Sequence, residues 1–184
     1  MGVAGSGKSM QGRMLADELG LPWLSTGEFL RMLIGGEERK EMLAGKLLED
    51  KEIIQLVRKV FTIVDTNHGF VLDGFPRTLA QADWLLNQVK HGQLTLTAVI
   101  NLKASLDVVR KRLLGRGRPD DHDTAIDERF LEYELSIVPI LKHFKAANVP
   151  VYEINGEQNP AKVHQDILQA IKKARSVHQS QNQV

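Results

Sequence analysis

The chain has no cysteine among its 184 residues. Disulfide bonds and thiolate zinc sites are therefore excluded. Its six histidines are scattered, without the spacing of a metal cluster, so each reads as a surface or packing residue. Charge of neither sign is in excess, with 24 Lys and Arg against 23 Asp and Glu. That balance argues against a protein that holds nucleic acid through bulk charge. No apolar run approaches the roughly 20 residues of a membrane span. No repeat is visible, and no leader precedes the first motif. The length suffices for one domain with a real core. These absences leave the expectation of a single cytoplasmic domain, 1–184; a monomer is expected, though no sequence feature sets the oligomeric state. It would have neither nucleic acid nor membrane as a partner.

What is there begins almost at once. Gly2-Val3-Ala4-Gly5-Ser6-Gly7-Lys8-Ser9 fits the phosphate-loop pattern Gly-x-x-x-x-Gly-Lys-Ser/Thr. Such a loop wraps backbone N–H groups around a polyphosphate, and the next helix aims its positive end at the same anion. Lys8 would reach the β- and γ-phosphates, and the Ser9 hydroxyl would sit on Mg²⁺. A chance match is expected in roughly one chain of this length in a hundred. The stripe Met10, Met14, Leu15, Leu19 supports a helix after the loop, and Gly20 stops it. Only Met1 precedes Gly2, whereas this architecture delivers the chain to the loop on a buried strand.

Farther along, helical and short apolar segments alternate, which predicts an α/β fold with a parallel sheet. Strands are expected at Trp23–Ser25, Phe70–Asp73, Thr97–Leu102 and Val151–Ile154. Helices are expected near Lys8–Leu19, Glu28–Leu33, Glu37–Leu43, Asp50–Thr66, Leu79–Lys90 and Ser105–Leu114. A long helix should carry Ile126, Phe130, Tyr133, Ile137, Leu141 and Phe144 on one face, kinked at Pro139. Asn159-Pro160 opens the last helix. The polar tail 176–184 is expected to fray.

Asp73-Gly74-Phe75-Pro76-Arg77-Thr78 follows an apolar strand at the sheet edge where ligands bind in open α/β folds. Asp73 there could hold Mg²⁺ through water. Two segments admit two readings. Thr78-x-x-Gln81 and Ser25-x-x-Glu28 are both capping boxes, and both stand where a ligand could be read. A third cluster gathers Arg112, Arg116, Arg118 and Arg129. Gly115 and Gly117 punctuate it, where they would allow a hinge.

Together these residues resemble the adenylate kinases, within the nucleoside monophosphate kinases. The matching elements are the phosphate loop, Thr26-Gly27-Glu28-Phe29-Leu30-Arg31, Ala44-Gly45-Lys46-Leu47-Leu48, Asp73 to Thr78 with Gln81, and Arg116 to Asp121 followed by Arg129. The resemblance implies a P-loop kinase fold: a parallel sheet flanked by helices, an acceptor-binding helical insertion at about 25–66, and a short lid at about 115–124. It implies Mg²⁺-dependent transfer of the terminal phosphoryl group of ATP to AMP, giving two ADP. Gly5, Ser6, Gly7, Lys8, Ser9 and Met10 would then hold the ATP phosphates. Arg112 would stack on the ATP base, Arg116 would touch its phosphates, and Gly156 would lie against the base. Thr26 and Gln81 would touch the acceptor base, with Lys46, Leu47 and Leu48 completing that pocket. Arg31 and Arg77, beside Gly74, Phe75 and Pro76, would grip the acceptor phosphate. Arg118 and Arg129 would clamp the phosphoryl groups in flight. UMP or CMP is the alternative acceptor. Thr26 favours AMP, since pyrimidine-preferring relatives usually carry Ala there.

The missing strand sets a further expectation. It would lie between the strand ending at Asp73 and the one starting near Thr97. Unpaired buried backbone groups cost about 1–3 kcal/mol each. The chain as written should therefore be unstable or weakly active, a nucleotide binder with little turnover, and the biological protein should start upstream.

Overall fold

Two glycines, one on each side of the first helix, decide where it begins and ends. The computed structural model describes residues 1–33, 49–117 and 122–181. Helix α1 spans Lys8–Leu19, entered through Gly7 (φ 96°) and left through Gly20 (φ 64°), both left-handed. Strand β1 (Trp23–Ser25) and helix α2 (Thr26–Leu33) follow. Then come α3 (Asp50–Ile63), β2 (Val71–Asp73), α4 (Leu79–Lys90), β3 (Val99–Lys103) and α5 (Leu106–Arg116). The last elements are α6 (Asp123–Glu132), a π-helical turn (Tyr133–Ile137), α7 (Val138–Ala146), β4 (Val151–Asn155) and α8 (Pro160–Gln181). The helix expected at Glu37–Leu43 lies outside the described residues.

The strands pair in parallel, as α/β alternation requires, but in two separate sheets. β1 pairs with β2 in the register Trp23↔Val71 to Ser25↔Asp73. β3 pairs with β4 from Val99↔Val151 to Lys103↔Asn155. Between the pairs, one short piece of chain stands in for a strand. Gly2 bridges Leu102 in parallel. The Leu102 N–H donates to the Met1 carbonyl at 3.0 Å, and the terminal amine of Met1 donates to the Ile100 carbonyl. Beyond Met1 the two half-sheets enclose a cavity of about 280 Å³, walled by Val71 and Leu72 on one side and Val99 and Ile100 on the other. Burial there, with a smaller push from Lys8, lowers the Met1 amine to a pKa of about 6. The gap lies between the strand ending at Asp73 and the strand starting at Val99.

Helices cover both half-sheets. Phe75, Leu85, Val99, Ile140 and Phe144 form one buried cluster. Leu15, Leu102, Val163 and Ile167 form another, under α8. Val3 of the loop packs with Val109, Leu113 and Ile126 in a third. Gly12, costly inside a helix by propensity, has a packing reason: a Cβ there would lie 2.9 Å from Nε1 of Trp23.

Two expectations are corrected. The irregularity in the long helix is a π-helical turn ahead of Pro139, which itself falls in the first turn of α7. Proline lacks the N–H that would bond the carbonyl four residues back, and the irregularity sits in that preceding turn. The tail does not fray at Ser176, because α8 runs to Gln181. Val163, Ile167, Ala170 and Ala174 are all buried, so tertiary contact anchors the helix to within one turn of Ser176 and it propagates onward.

Candidate active site

The phosphate loop leads directly into α1, and its start is held against β3 by backbone bonds. Gly5 has φ 83°, and a Cβ there would press on the Leu113 side chain at 3.0 Å. Only glycine lets the loop lie this close to α5. Ser6 is buried, its N–H donating to the Val3 carbonyl at 3.1 Å. Ser9 and Met10 open the helix on its exposed side. Gly156 follows β4 and touches the loop from beyond: a Cβ would meet the Ser6 carbonyl oxygen at 2.9 Å. Arg112 ties these walls together, donating to the Gly156 carbonyl at 2.9 Å and to that of Gly5 at 3.4 Å.

At the C-terminal end of β2, Asp73 is buried and Gly74 turns with φ 80°. The Phe75–Pro76 peptide is cis, and both residues are buried. Arg77 is exposed, with Nε anchored on the Gly74 carbonyl at 2.9 Å. That anchor turns the rest of the guanidinium into the cleft.

The cleft between loop and β2 has a volume of about 830 Å³, ample for nucleotide-sized ligands. Lys8, Asp73, Arg77, Arg112, Arg116 and Arg129 all line it. The field is strongly cationic. Burial lowers the Lys8 ammonium to a pKa of about 8; Asp73 opposes this, and Arg77, Arg116 and Arg129 push it further down. A polyanion entering here would relieve that repulsion.

Several expected residues are not presented to open space. Thr26 is buried, its hydroxyl donating to the Asp73 carbonyl at 3.3 Å. Gln81 is 3% exposed. Its Oε1 accepts from the Arg77 N–H at 2.8 Å, and its Nε2 donates to Asp50 at 2.8 Å. Thr78 caps α4 by accepting from the Gln81 N–H at 3.2 Å and donates to the same Asp50 oxygen at 2.9 Å. The capping box is thus displaced by one residue, with Gln81 reaching Arg77 rather than Thr78. Ser25 accepts from the Glu28 N–H at 3.4 Å, while Glu28 pairs with Arg13 at 3.5 Å. Arg31 is carried by α2. Lys46, Leu47, Leu48 and Arg118 lie outside the described residues.

The sequence reading missed Asp50 and Tyr133. Asp50 looked like an ordinary first-turn acid of α3. Tyr133 was assigned to the apolar stripe, yet it also lines the cleft. Its spacing of four residues from Arg129 places both on one helix face, and that was the available signal.

Comparison with known proteins bears on the whole constellation. The family profile described as adenylate kinase matches residues 1–149. An adenylate kinase from Corynebacterium urealyticum is 38% identical over 151 residues, covering 79% of this chain and 83% of that protein. One from Leptospira biflexa is 34% identical over 181 residues, covering 93% and 97%. A protein named adenylate kinase 1, from Synechocystis, is 36% identical over 167 residues, covering 86% and 87%.

Proposed function

The chain belongs to the adenylate kinase family, and from that premise we propose that it transfers the terminal phosphoryl group of ATP to AMP, reversibly, giving two ADP. One observation carries the reading. Lys8, Arg77, Arg116 and Arg129 come from four separate stretches of sequence and converge on one cleft beside a phosphate loop.

The chemistry needs little else. A nucleoside monophosphate has a second pKa of about 6, so it is mostly dianionic at pH 7 and needs no strong base. The barrier is bringing one anionic oxygen onto another polyanion. Arginine forks lower it by cancelling charge and fixing the line of attack. Arg77, anchored on Gly74, faces the acceptor phosphate. Lys8 and the loop N–H groups hold the donor. Arg116 and Arg129 stand at the cleft's other wall, where they would hold the phosphoryl group away from water.

Mg²⁺ fits the donor set. Ser9 offers a hydroxyl at the start of α1, and Asp73 offers a carboxylate on the cleft floor whose charge already acts on Lys8. Both are hard oxygen ligands of the kind Mg²⁺ takes. Ser9 and Asp73 would hold the ion, which would supply positive charge to neutralise the phosphates.

A steady-state assay with ATP and each of AMP, UMP and CMP tests the proposal. Turnover with AMP above the other two is expected. Preference for a pyrimidine acceptor would overturn the base assignment. The divided sheet favours a second reading, a nucleotide binder with little turnover. ATP binding without phosphorylation of any acceptor would decide for it.

A further inference from the structure

Asn101 is the outlier of β3. Its neighbours in the strand are Val, Ile and Leu, and it is only 1% exposed. An amide so deeply buried is unfavourable unless hydrogen-bonded. Its partner is the Tyr133 hydroxyl, which accepts from Nδ2 at 2.9 Å and lies 3.2 Å from Oδ1.

Tyr133 occupies a junction. Its backbone N–H reaches back to the Arg129 and Phe130 carbonyls, where α6 gives way to the π-helical turn. Its ring packs on the cluster of Val3, Val109, Leu113 and Ile126, so it touches the rear of the phosphate loop's layer. It also lines the cleft together with Arg129, one helical turn earlier. A π turn admits one extra residue, and such turns recur at functional sites. An extra residue alters the rotation of what precedes it by about 100°. The direction in which α6 presents Arg129 therefore depends on how this turn is held. The Asn101–Tyr133 hydrogen bond ties the turn to the sheet.

We propose that Tyr133 is a positioning residue for phosphoryl transfer: held by Asn101, its hydroxyl orients the helix that carries Arg129 over the phosphate loop. The inference rests on the reading of the cleft as a phosphotransferase site. It adds to that reading a pair of residues that need not touch either nucleotide.

The test uses the full chain and its variants. Tyr133→Phe keeps the ring and removes the hydroxyl. It should lower kcat about tenfold, raise the ATP dissociation constant about threefold, and leave KM for AMP unchanged. Asn101→Leu combined with Tyr133→Phe replaces both polar partners, so neither is left buried and unpaired. That double variant should melt close to wild type yet keep the tenfold loss in kcat. In an Arg129→Lys background, which has no guanidinium fork to orient, Tyr133→Phe should change kcat and ATP affinity by less than twofold. The proposal is overturned if Tyr133→Phe turns over like wild type. It also falls if kcat recovers along with the melting temperature in the double variant, or if the full loss persists in the Arg129→Lys background. Calorimetric titration with ATP needs no turnover. A wild-type chain that binds ATP without phosphorylating AMP would sink the proposed function alone, and the ATP affinities would still decide the role of Tyr133.

Discussion

The proposed donor side and the proposed acceptor side of the cleft are built from different materials. The donor side is backbone: glycines with positive φ, a loop pressed against α5, and carbonyls bridged by Arg112. Its shape exists before any ligand arrives. The acceptor side is side chains already engaged with one another. Thr26 is bonded to Asp73, and Gln81 to Arg77 and Asp50. A phosphate can be received by a preformed cradle. A base must be read by groups with hydrogen-bonding capacity left over. Gln81 Nε2 carries two protons and gives one to Asp50, so on the proposed reading its other proton would have to serve an acceptor atom of the base.

The largest effect should come from completing the support beneath the donor side. A chain carrying about six added apolar, β-branched residues before Met1 places a strand in the 280 Å³ gap. Several restored backbone bonds at about 1–3 kcal/mol each should raise the melting temperature by about 10 °C or more. Equal melting of the two chains would show that the half-sheets stand unaided.

Next are the cations. Lys8→Ala, Arg77→Ala and Arg129→Ala should each lower kcat at least about a hundredfold, because one transition-state contact is worth about 2.7 kcal/mol or more. Steady-state rates with both nucleotides saturating check this. A near-normal Arg129→Ala would remove the α6 wall from the mechanism.

A paired substitution separates folding from recognition on the acceptor side. Gln81→Glu alone would face the Asp50 carboxylate across a 2.8 Å contact and destabilise the chain by like-charge repulsion. Adding Asp50→Asn restores a donor–acceptor pair. The double variant should melt near wild type, yet its KM for AMP should rise about tenfold, the worth of roughly one hydrogen bond, with KM for ATP unchanged. An unchanged KM for AMP would leave Gln81 with a purely structural role.

The smallest effect near neutral pH, and one confined to the donor side, comes from Lys8. Its folded pKa, about 8, lies below the 10.5 of an ordinary lysine. The folded chain thus carries the full cost of a buried ammonium below pH 8, and that cost is relieved as pH rises from 8 to 10.5. ATP affinity should move the opposite way: flat below about pH 7, then falling roughly tenfold per unit above about pH 8. Calorimetry of wild type against Lys8→Met isolates this slope. Identical slopes would mean that Lys8 is not the group that titrates.

Much of this was legible in the residues, for local reasons. Gly7 and Gly20 bound α1 because only glycine enters the left-handed region without strain. Val71-Leu72-Asp73 reads as a strand ending in a carboxylate because apolar runs with turn signals behave so wherever they occur. The phosphate loop and its lysine follow from spacing alone.

What only tertiary structure decided concerns contacts between distant residues, where local rules are silent. The sequence offered Gln81 a capping partner three residues away; the fold kept the backbone bond to Thr78 and added Asp50, 31 positions distant, as a side-chain partner. It marked Pro139 as the kink, while the irregular turn formed ahead of it, beside Asn101. Gly12 looked like a weakness until Trp23 packed against it. A polar side chain has several possible partners at similar free energy, and only the assembled chain determines which comes within about 3 Å. Backbone conformation depends on the nearest few residues and can be read in order. Side-chain pairing depends on which elements meet, and in this protein that choice gives Gln81 its bond to Asp50 and Tyr133 its bond to Asn101.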